Sequence, residues 1–265
     1  MKKYPILILI PHGGLRVPEE LAEHAVADDF ELLMSADTCA NDLFCADELC
    51  AAVVNTHISR LFVDVDRAAL DIRPGGADGV IKHRNVFGKQ IFPEGTFPDD
   101  LALAAMLRRY YFPFHDTARK VITSGEVSLV LECHTVAAIG PAHAPDRNRP
   151  RPIFSVSNRV ESDGQIVKTA DDALAGEIAA AFRKSFAGES AATENPFVTS
   201  ESPGTGELMR KLSGSAPYLR ISLSRGLFLN ERHFNYDFGR IDPIRIGELR
   251  KKTHQAIERF AGKVF

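Results

Sequence analysis

The chain has 265 residues, 45% hydrophobic and 25% charged, which are ordinary proportions for a folded globular enzyme. Its net charge of −3 gives no electrostatic basis for binding nucleic acid or an anionic membrane surface. No segment approaches the length of a membrane-spanning helix. The four cysteines lack CxxC spacing and favour a reducing compartment. We therefore expect a cytoplasmic protein without nucleic-acid or membrane partners. The sequence leaves its oligomeric state unknown.

The first predicted strand ends at a histidine. An apolar run over residues 6–10 predicts a buried strand, and Pro11-His12-Gly13-Gly14 follows it directly. An α/β enzyme places metal ligands and catalytic side chains at the carboxyl edge of its sheet. His12 is therefore a candidate metal ligand or catalytic imidazole. The alternative is that His12 only caps the strand through hydrogen bonds.

The rest of the chain alternates between predicted helices and strands. Asp37-Thr38 predicts a helix start, with the helix running to about residue 52. A second helix is predicted from Asp99 to Ile122, with a kink at Pro113. Further strands are expected at 53–56, 127–131, 152–157 and 218–223, an extended segment at 61–66, helices at 170–186 and 241–260, and long loops at 71–98 and 138–152. This alternation predicts an α/β fold with a mixed, mostly parallel sheet and helices on both faces.

A second histidine follows another predicted strand. The apolar run at 127–131 leads into Glu132-Cys133-His134-Thr135. A catalytic zinc ion takes three protein ligands and leaves one position for water. His12 and His134 are the imidazole candidates, and Asp37 is the candidate carboxylate, although it could instead cap a helix. Glu132 lies on the same strand face as His134 and is its predicted partner.

Arginines and carboxylates cluster after the second predicted strand. Ser59-Arg60 and Asp64-Val65-Asp66-Arg67 lie close together, and Arg225 follows a late strand. The planar guanidinium of arginine suits bidentate recognition of a carboxylate. The cluster therefore predicts either a site for an anionic substrate or a surface network of ion pairs.

Six short motifs in this order resemble the N-formylglutamate amidohydrolase (N-formylglutamate deformylase) family, which is related to zinc carboxypeptidases and aspartoacylases. The motifs are Pro11-His12-Gly13-Gly14, Asp37-Thr38, Ser59-Arg60 with Asp64-Val65-Asp66-Arg67, Phe112-Pro113-Phe114-His115, Glu132-Cys133-His134-Thr135 and Arg225-Gly226-Leu227-Phe228. The resemblance implies a phosphorylase/hydrolase-like fold in a single metallohydrolase-like domain over residues 1–265, with one zinc ion. By similarity, His12, Asp37 and His134 bind the metal.

The resemblance also implies how substrate is bound. Arg67 matches the arginine that binds a substrate carboxylate, with Arg60 nearby, and Arg225 is a third candidate for substrate binding. Two positions depart from the family pattern. Asp66 stands where the family has asparagine, and Ser222 stands where its catalytic glutamate is expected. Glu207 and Glu231 are therefore the candidate replacements for the catalytic base.

The function expected from this resemblance is zinc-dependent amide hydrolysis. The enzyme would release formate, or another small acyl group, from an N-acyl amino acid such as N-formylglutamate. An aspartoacylase-like or carboxypeptidase-like hydrolase would use the same metal and arginines. The other alternative is a catalytically silent binding protein that keeps the pocket, and Ser222 is its main support.

Overall fold

The computed structural model describes residues 3–23, 26–71, 79–141, 144, 146–162, 164–189, 197–200 and 207–265. Its strands are β1 (Tyr4–Ile10), β2 (Cys50–Asn55), β3 (Leu129–Val136), β4 (Phe154–Ser157), β5 (Arg159–Ser162), β6 (Gln165–Lys168), β7 (Phe197–Ser200), β8 (Tyr218–Ser224), β9 (Phe234–Asn235) and β10 (Arg240–Ile241). Its α-helices are α1 (Asp29–Ser35), α2 (Ala40–Phe44), α3 (Asp100–Met106), α4 (Phe112–Thr123), α5 (Asp172–Ser185), α6 (Glu207–Leu212) and α7 (Pro243–Val264). None of the described helices is long and apolar enough to cross a membrane.

Six strands form the central sheet, in the order β2-β1-β3-β8-β4-β7. The first four are parallel to one another. β4 runs antiparallel to β8, and β7 runs parallel to β4. Two separate antiparallel pairs, β5–β6 and β9–β10, lie outside this sheet. The predicted mixed, mostly parallel sheet is therefore confirmed.

Helices cover both faces of the sheet because alternate strand residues point to opposite sides. Ile8, Leu131 and Ile221 belong to one apolar core, and α2, α5 and α7 pack on that face. Leu7 and Val130 belong to a second core on the other face, where α4 packs. Continuous apolar runs such as that of β1 follow from burial on both sides.

One sheet face changes from apolar to polar toward the carboxyl edge. On β3, Val130 is part of the second core, whereas Glu132 and His134, which point to the same side, are buried polar residues. On β8, Arg220 and Ser222 lie directly opposite them in register. These side chains form a polar site at the carboxyl edge of the parallel strands.

Three sequence expectations are wrong in detail. The helix predicted from Asp37 to residue 52 is limited to α2, because Cys39 before it adopts φ 60° and β2 already begins at Cys50. Turns form at 61–62 and 65–66, where an extended segment over 61–66 is predicted. The helix predicted from Asp99 is divided by a π-helical segment (Leu107–Tyr111) that ends just before Pro113.

Candidate metal centre and active site

Two histidines and one aspartate converge at the carboxyl edge of β1 and β3. The rings of His12 and His134 lie 5.3 Å apart, centroid to centroid. Asp37 Oδ2 is 2.7 Å from His134 Nδ1 and 3.6 Å from His12 Nδ1. One potential ligand atom from each residue lies within 4.8 Å of the others, and all three residues are buried. The structure thus brings the predicted ligands together.

The far nitrogen of each imidazole contacts a buried carboxylate. His12 Nε2 lies 2.8 Å from Asp64 Oδ1, and His134 Nε2 lies 2.5 Å from Glu132 Oε1. The predicted partnership of Glu132 with His134 is confirmed. Carboxylates on the outer nitrogens of metal-binding histidines fix the ring orientation and the tautomer. Here they leave both Nδ1 atoms directed toward Asp37.

Cations hold these two carboxylates in turn. Asp64 Oδ2 accepts hydrogen bonds from Arg60 Nη2 (2.8 Å) and Lys82 Nζ (3.0 Å). Glu132 forms an ion pair with Arg220 (2.6 Å) and accepts a hydrogen bond from the hydroxyl of Tyr218. Because an unpaired buried charge is costly, these partners allow both carboxylates to stay ionised inside the protein.

The contacts among the candidate ligands shift the pKa values of Asp37 and His134 in opposite directions. Burial alone would raise the pKa of Asp37, but the hydrogen bonds and charges of His12 and His134 outweigh burial and hold that pKa well below its usual range. Burial would lower the pKa of His134, whereas its bonds to Asp37 and Glu132 raise it to about 9. The site thus contains a firmly ionised carboxylate between two imidazoles.

This donor set fits a zinc ion. His12 Nδ1 is buried and has no hydrogen-bond partner among the described residues, although it faces Asp37. Two imidazole nitrogens and one carboxylate are a ligand set that catalytic zinc uses. A second group, Asp66 with Glu132 and His134, is equally compact. There the guanidinium of Arg220 already contacts both carboxylates, so the first group is the better cation site.

The local sequence explains how His12 reaches this position. A Cβ atom on Gly14 would lie 2.3 Å from the backbone carbonyl carbon of His57, so only glycine allows the two segments to pass this closely. The backbone N–H of Asp37 donates to the carbonyl of His12 (2.9 Å). The segment after β1 and the segment after α1 are therefore joined at the site itself.

A model of the family described as N-formylglutamate amidohydrolase matches residues 4–222. The chain belongs to the N-formylglutamate amidohydrolase family. The matched residues include the three candidate ligands and Ser222, whereas Arg225 and Glu231 lie beyond them.

One curated protein and two solved structures are similar to the chain. An N-formylglutamate deformylase from Pseudomonas putida is 28% identical over 121 residues, which span 44% of this chain and 45% of that protein. The crystal structure of an N-formylglutamate amidohydrolase from Ralstonia eutropha has a TM-score of 0.72 at 18% identity, covering 100% of this chain and 95% of the other. The structure of a gene product from Agrobacterium tumefaciens has a TM-score of 0.60 at 16% identity, covering 97% of this chain and 91% of the other. At these identities, the structures establish the shared fold.

The three arginines predicted to bind substrate lie in different settings. Besides its bond to Asp64, Arg60 has Nη1 3.9 Å from Asp37 Oδ1, so it lies beside the candidate metal site. Arg67 Nη1 donates to the carbonyl of Asp66. Arg225 Nη1 contacts backbone carbonyls of the segment that carries Asp37. Their roles toward substrate stay predictions.

The two glutamates predicted as bases lie at the start of α6 and in the segment that follows β8. Glu207 is buried at the start of α6 and pairs with Arg210 and Lys211. Glu231 is exposed and lines a surface cavity. In the described part of the chain, neither carboxylate forms a hydrogen bond or ion pair with a candidate metal ligand. Their role as base stays a prediction.

Sequence reasoning missed Lys82, Tyr218 and Arg220. Lys82 comes from the long loop predicted at 71–98, where no pattern distinguishes it from a surface lysine. Arg220 carried a signal, because a charged residue inside the apolar strand Tyr218–Ser224 needs a buried partner. It pairs with Asp66 (3.0 Å) as well as Glu132, so the Asp66 charge is balanced within the protein.

Proposed function

We propose that this chain is a zinc-dependent amidohydrolase that removes formate, or another small acyl group, from an N-acyl amino acid such as N-formylglutamate. The observation that carries the proposal is the convergence of His12, Asp37 and His134, with a buried carboxylate behind each imidazole. Membership of the N-formylglutamate amidohydrolase family supports the same reaction. The four cysteines are unpaired, which supports our proposal of a cytoplasmic location.

The proposed roles follow from the chemistry of the side chains. His12, Asp37 and His134 would hold the ion, which when bound supplies Lewis acidity toward the scissile carbonyl and toward a water molecule. Asp64 and Glu132 keep the two imidazoles oriented. Arg60 and Arg67 would hold the substrate carboxylate and thereby position the amide for attack.

A specific observation favours a second candidate, a catalytically silent binding protein. Hydrolysis needs a group that takes the proton of water and delivers it to the departing amine. Ser222 lies in register with His134 on the neighbouring strand, at the position where the family resemblance places a glutamate. A serine is not a comparable base. Glu207 is held by two cations, which lower its pKa against the opposing effect of burial and weaken it as a base.

Substrate turnover separates these candidates. Metal-free protein reloaded with zinc should release amine from one or more members of a panel of N-formyl and N-acetyl amino acids. The His134→Ala variant, treated in the same way, should lose both zinc and activity. Stoichiometric zinc without turnover of any panel member would instead support the silent binding protein.

The substrate carboxylate can be tested separately. Replacing Arg67 with alanine should raise KM for a substrate with a carboxylate by about ten- to a hundredfold, because one charge-assisted contact contributes about 1.5–3 kcal/mol. Lysine at this position should recover only part of the loss, since an ammonium lacks the bidentate geometry. Zinc content should not change. Unchanged KM in Arg67→Ala would remove Arg67 from the substrate site.

A further inference from the structure

Arg225 holds the segment that carries Asp37. It lies in a short 3-10 turn directly after β8. Its Nη1 atom lies 3.0 Å from the carbonyl oxygens of Met34 and Ala36, and 3.4 Å from Thr38 Oγ1. These acceptors flank Asp37 on both sides along the chain. One guanidinium therefore contacts the chain on both sides of Asp37.

The connection between α1 and α2 depends on such contacts for its shape. Asp37 lies outside any helix or strand, and Cys39, two residues later, adopts the left-handed conformation with φ 60°, which is strained for a residue with a side chain. The segment is also tied by the Asp37 N–H to the His12 carbonyl and by Thr135 Oγ1 to the Thr38 carbonyl (2.9 Å). Three strand ends thus converge on one irregular segment.

We propose that Arg225 is a positioning residue for the metal site: it fixes the backbone around Asp37 so that the carboxylate meets His12 and His134. This inference rests on the proposed metal site and gives Arg225 a role other than binding substrate. The same guanidinium contacts explain how a residue on the turn after β8 acts on a ligand that follows α1.

The charge of Arg225 and its carbonyl contacts should change zinc affinity in opposite directions. Arg225 is a cation near Asp37, and its charge acts on a bound zinc ion by repulsion. If charge were its only effect, its removal would tighten zinc binding. Loss of the carbonyl contacts should instead weaken zinc binding, because the Asp37 carboxylate would no longer be held in place. Removing a residue that orients a ligand weakens metal binding by about 10–100-fold.

The test compares Arg225→Met with Arg151→Met. Arg151 is a matched control because it is a nearby cation whose described side-chain ion pair is with Asp146, away from the Asp37 segment. Zinc affinity is measured by competition with a chromophoric chelator, and amide hydrogen exchange over residues 34–38 is measured on metal-free protein. Arg225→Met should weaken zinc binding about 10–100-fold and accelerate this exchange. Arg151→Met should do neither.

Arg225→Lys with Arg151→Lys provides the same comparison if the methionine variant does not fold. Lysine keeps the charge without the planar guanidinium, so a smaller weakening in the same direction is expected. Unchanged or tighter zinc binding with unchanged exchange would overturn the proposal, as would a rise in KM alone, which would assign Arg225 to the substrate. Wild-type protein that binds no zinc would refute the proposed metal site, while the exchange measurement would still decide whether Arg225 holds the segment.

Discussion

At the level of single residues, each of the two histidines contacts a buried carboxylate, and each carboxylate contacts one or more cations. Asp64 and Glu132 orient the imidazoles, and cations hold these carboxylates: Arg60 and Lys82 on one, Arg220 on the other. Each buried charge thus has an opposite charge within contact distance, which limits the cost of burying it. The side chains of the candidate metal site are therefore held in place by contacts within the protein.

Zinc binding should release a proton from His134. The pKa of about 9 means that this imidazole is protonated in metal-free protein at neutral pH, with Nδ1 facing Asp37. The metal must replace that proton, so apparent zinc affinity should rise with pH until about 9 and then level off. Calorimetric titration in buffers of different ionisation enthalpy measures the release. Zinc affinity independent of pH between neutrality and this pKa would contradict the expectation.

Replacing Ser222 with glutamate should supply a base beside His134. The two positions are in register on neighbouring parallel strands and face the same side. We expect Ser222→Glu to raise kcat for amide hydrolysis by about 10²–10⁴-fold, the usual contribution of a positioned general base. Ser222→Gln is the matched control, because it has the same shape without a basic carboxylate. Equal rates in the two variants would show that the base lies elsewhere, with Glu207 and Glu231 as the next positions to replace.

At the scale of elements, side chains from a helix and a strand hold the loop that carries Asp64 and Arg67. From α4, His115 Nε2 contacts the carbonyl of Val65, and from the segment just before it, Tyr111 donates to the carbonyl of Arg67. From β8, Arg220 pairs with Asp66. This irregular loop is thus held from both sides, which fixes the backbone from which Arg67 extends.

The Asp66–Arg220 pair should show strong coupling in a double-mutant cycle. Arg220→Gln leaves the Asp66 and Glu132 carboxylates buried without their shared cation and should lower the free energy of unfolding by about 3–5 kcal/mol. Asp66→Asn alone should cost less, because Arg220 keeps Glu132. Adding Asp66→Asn to Arg220→Gln should restore part of the loss by removing one unpaired charge. Additive effects in urea unfolding would show that the two residues do not interact.

The sequence predicts the regular elements better than the connections between them. Hydrophobic patterning locates β1 and α7 and places His12 at a strand end. The same patterning predicts that the strand at 127–131 ends before Glu132, whereas β3 continues through the polar residues Glu132 and His134. The ion pair of Asp66 with Arg220 joins residues 154 positions apart, and no local pattern encodes it. At Asp37 the local pattern leaves a helix cap and a metal ligand as alternatives, and the family resemblance favours the ligand.

At the scale of the whole molecule, the site lies where one core ends. The face of the sheet covered by α4 is apolar through Leu7 and Val130 and then turns polar at Glu132 and His134. The chain as a whole is slightly acidic, yet Arg60 and Arg225 lie close to Asp37. Together with Lys82 and Arg220, these arginines balance the carboxylates that are buried at this edge of the sheet.

Anomalous X-ray diffraction at the zinc absorption edge shows whether one zinc ion is bound by His12, Asp37 and His134. We predict one anomalous peak per chain, about 2.0–2.2 Å from Nδ1 of each histidine and from a carboxylate oxygen of Asp37. A peak between Asp66 and Glu132, or no peak in crystals of zinc-loaded protein, would rule out a zinc site at these three residues.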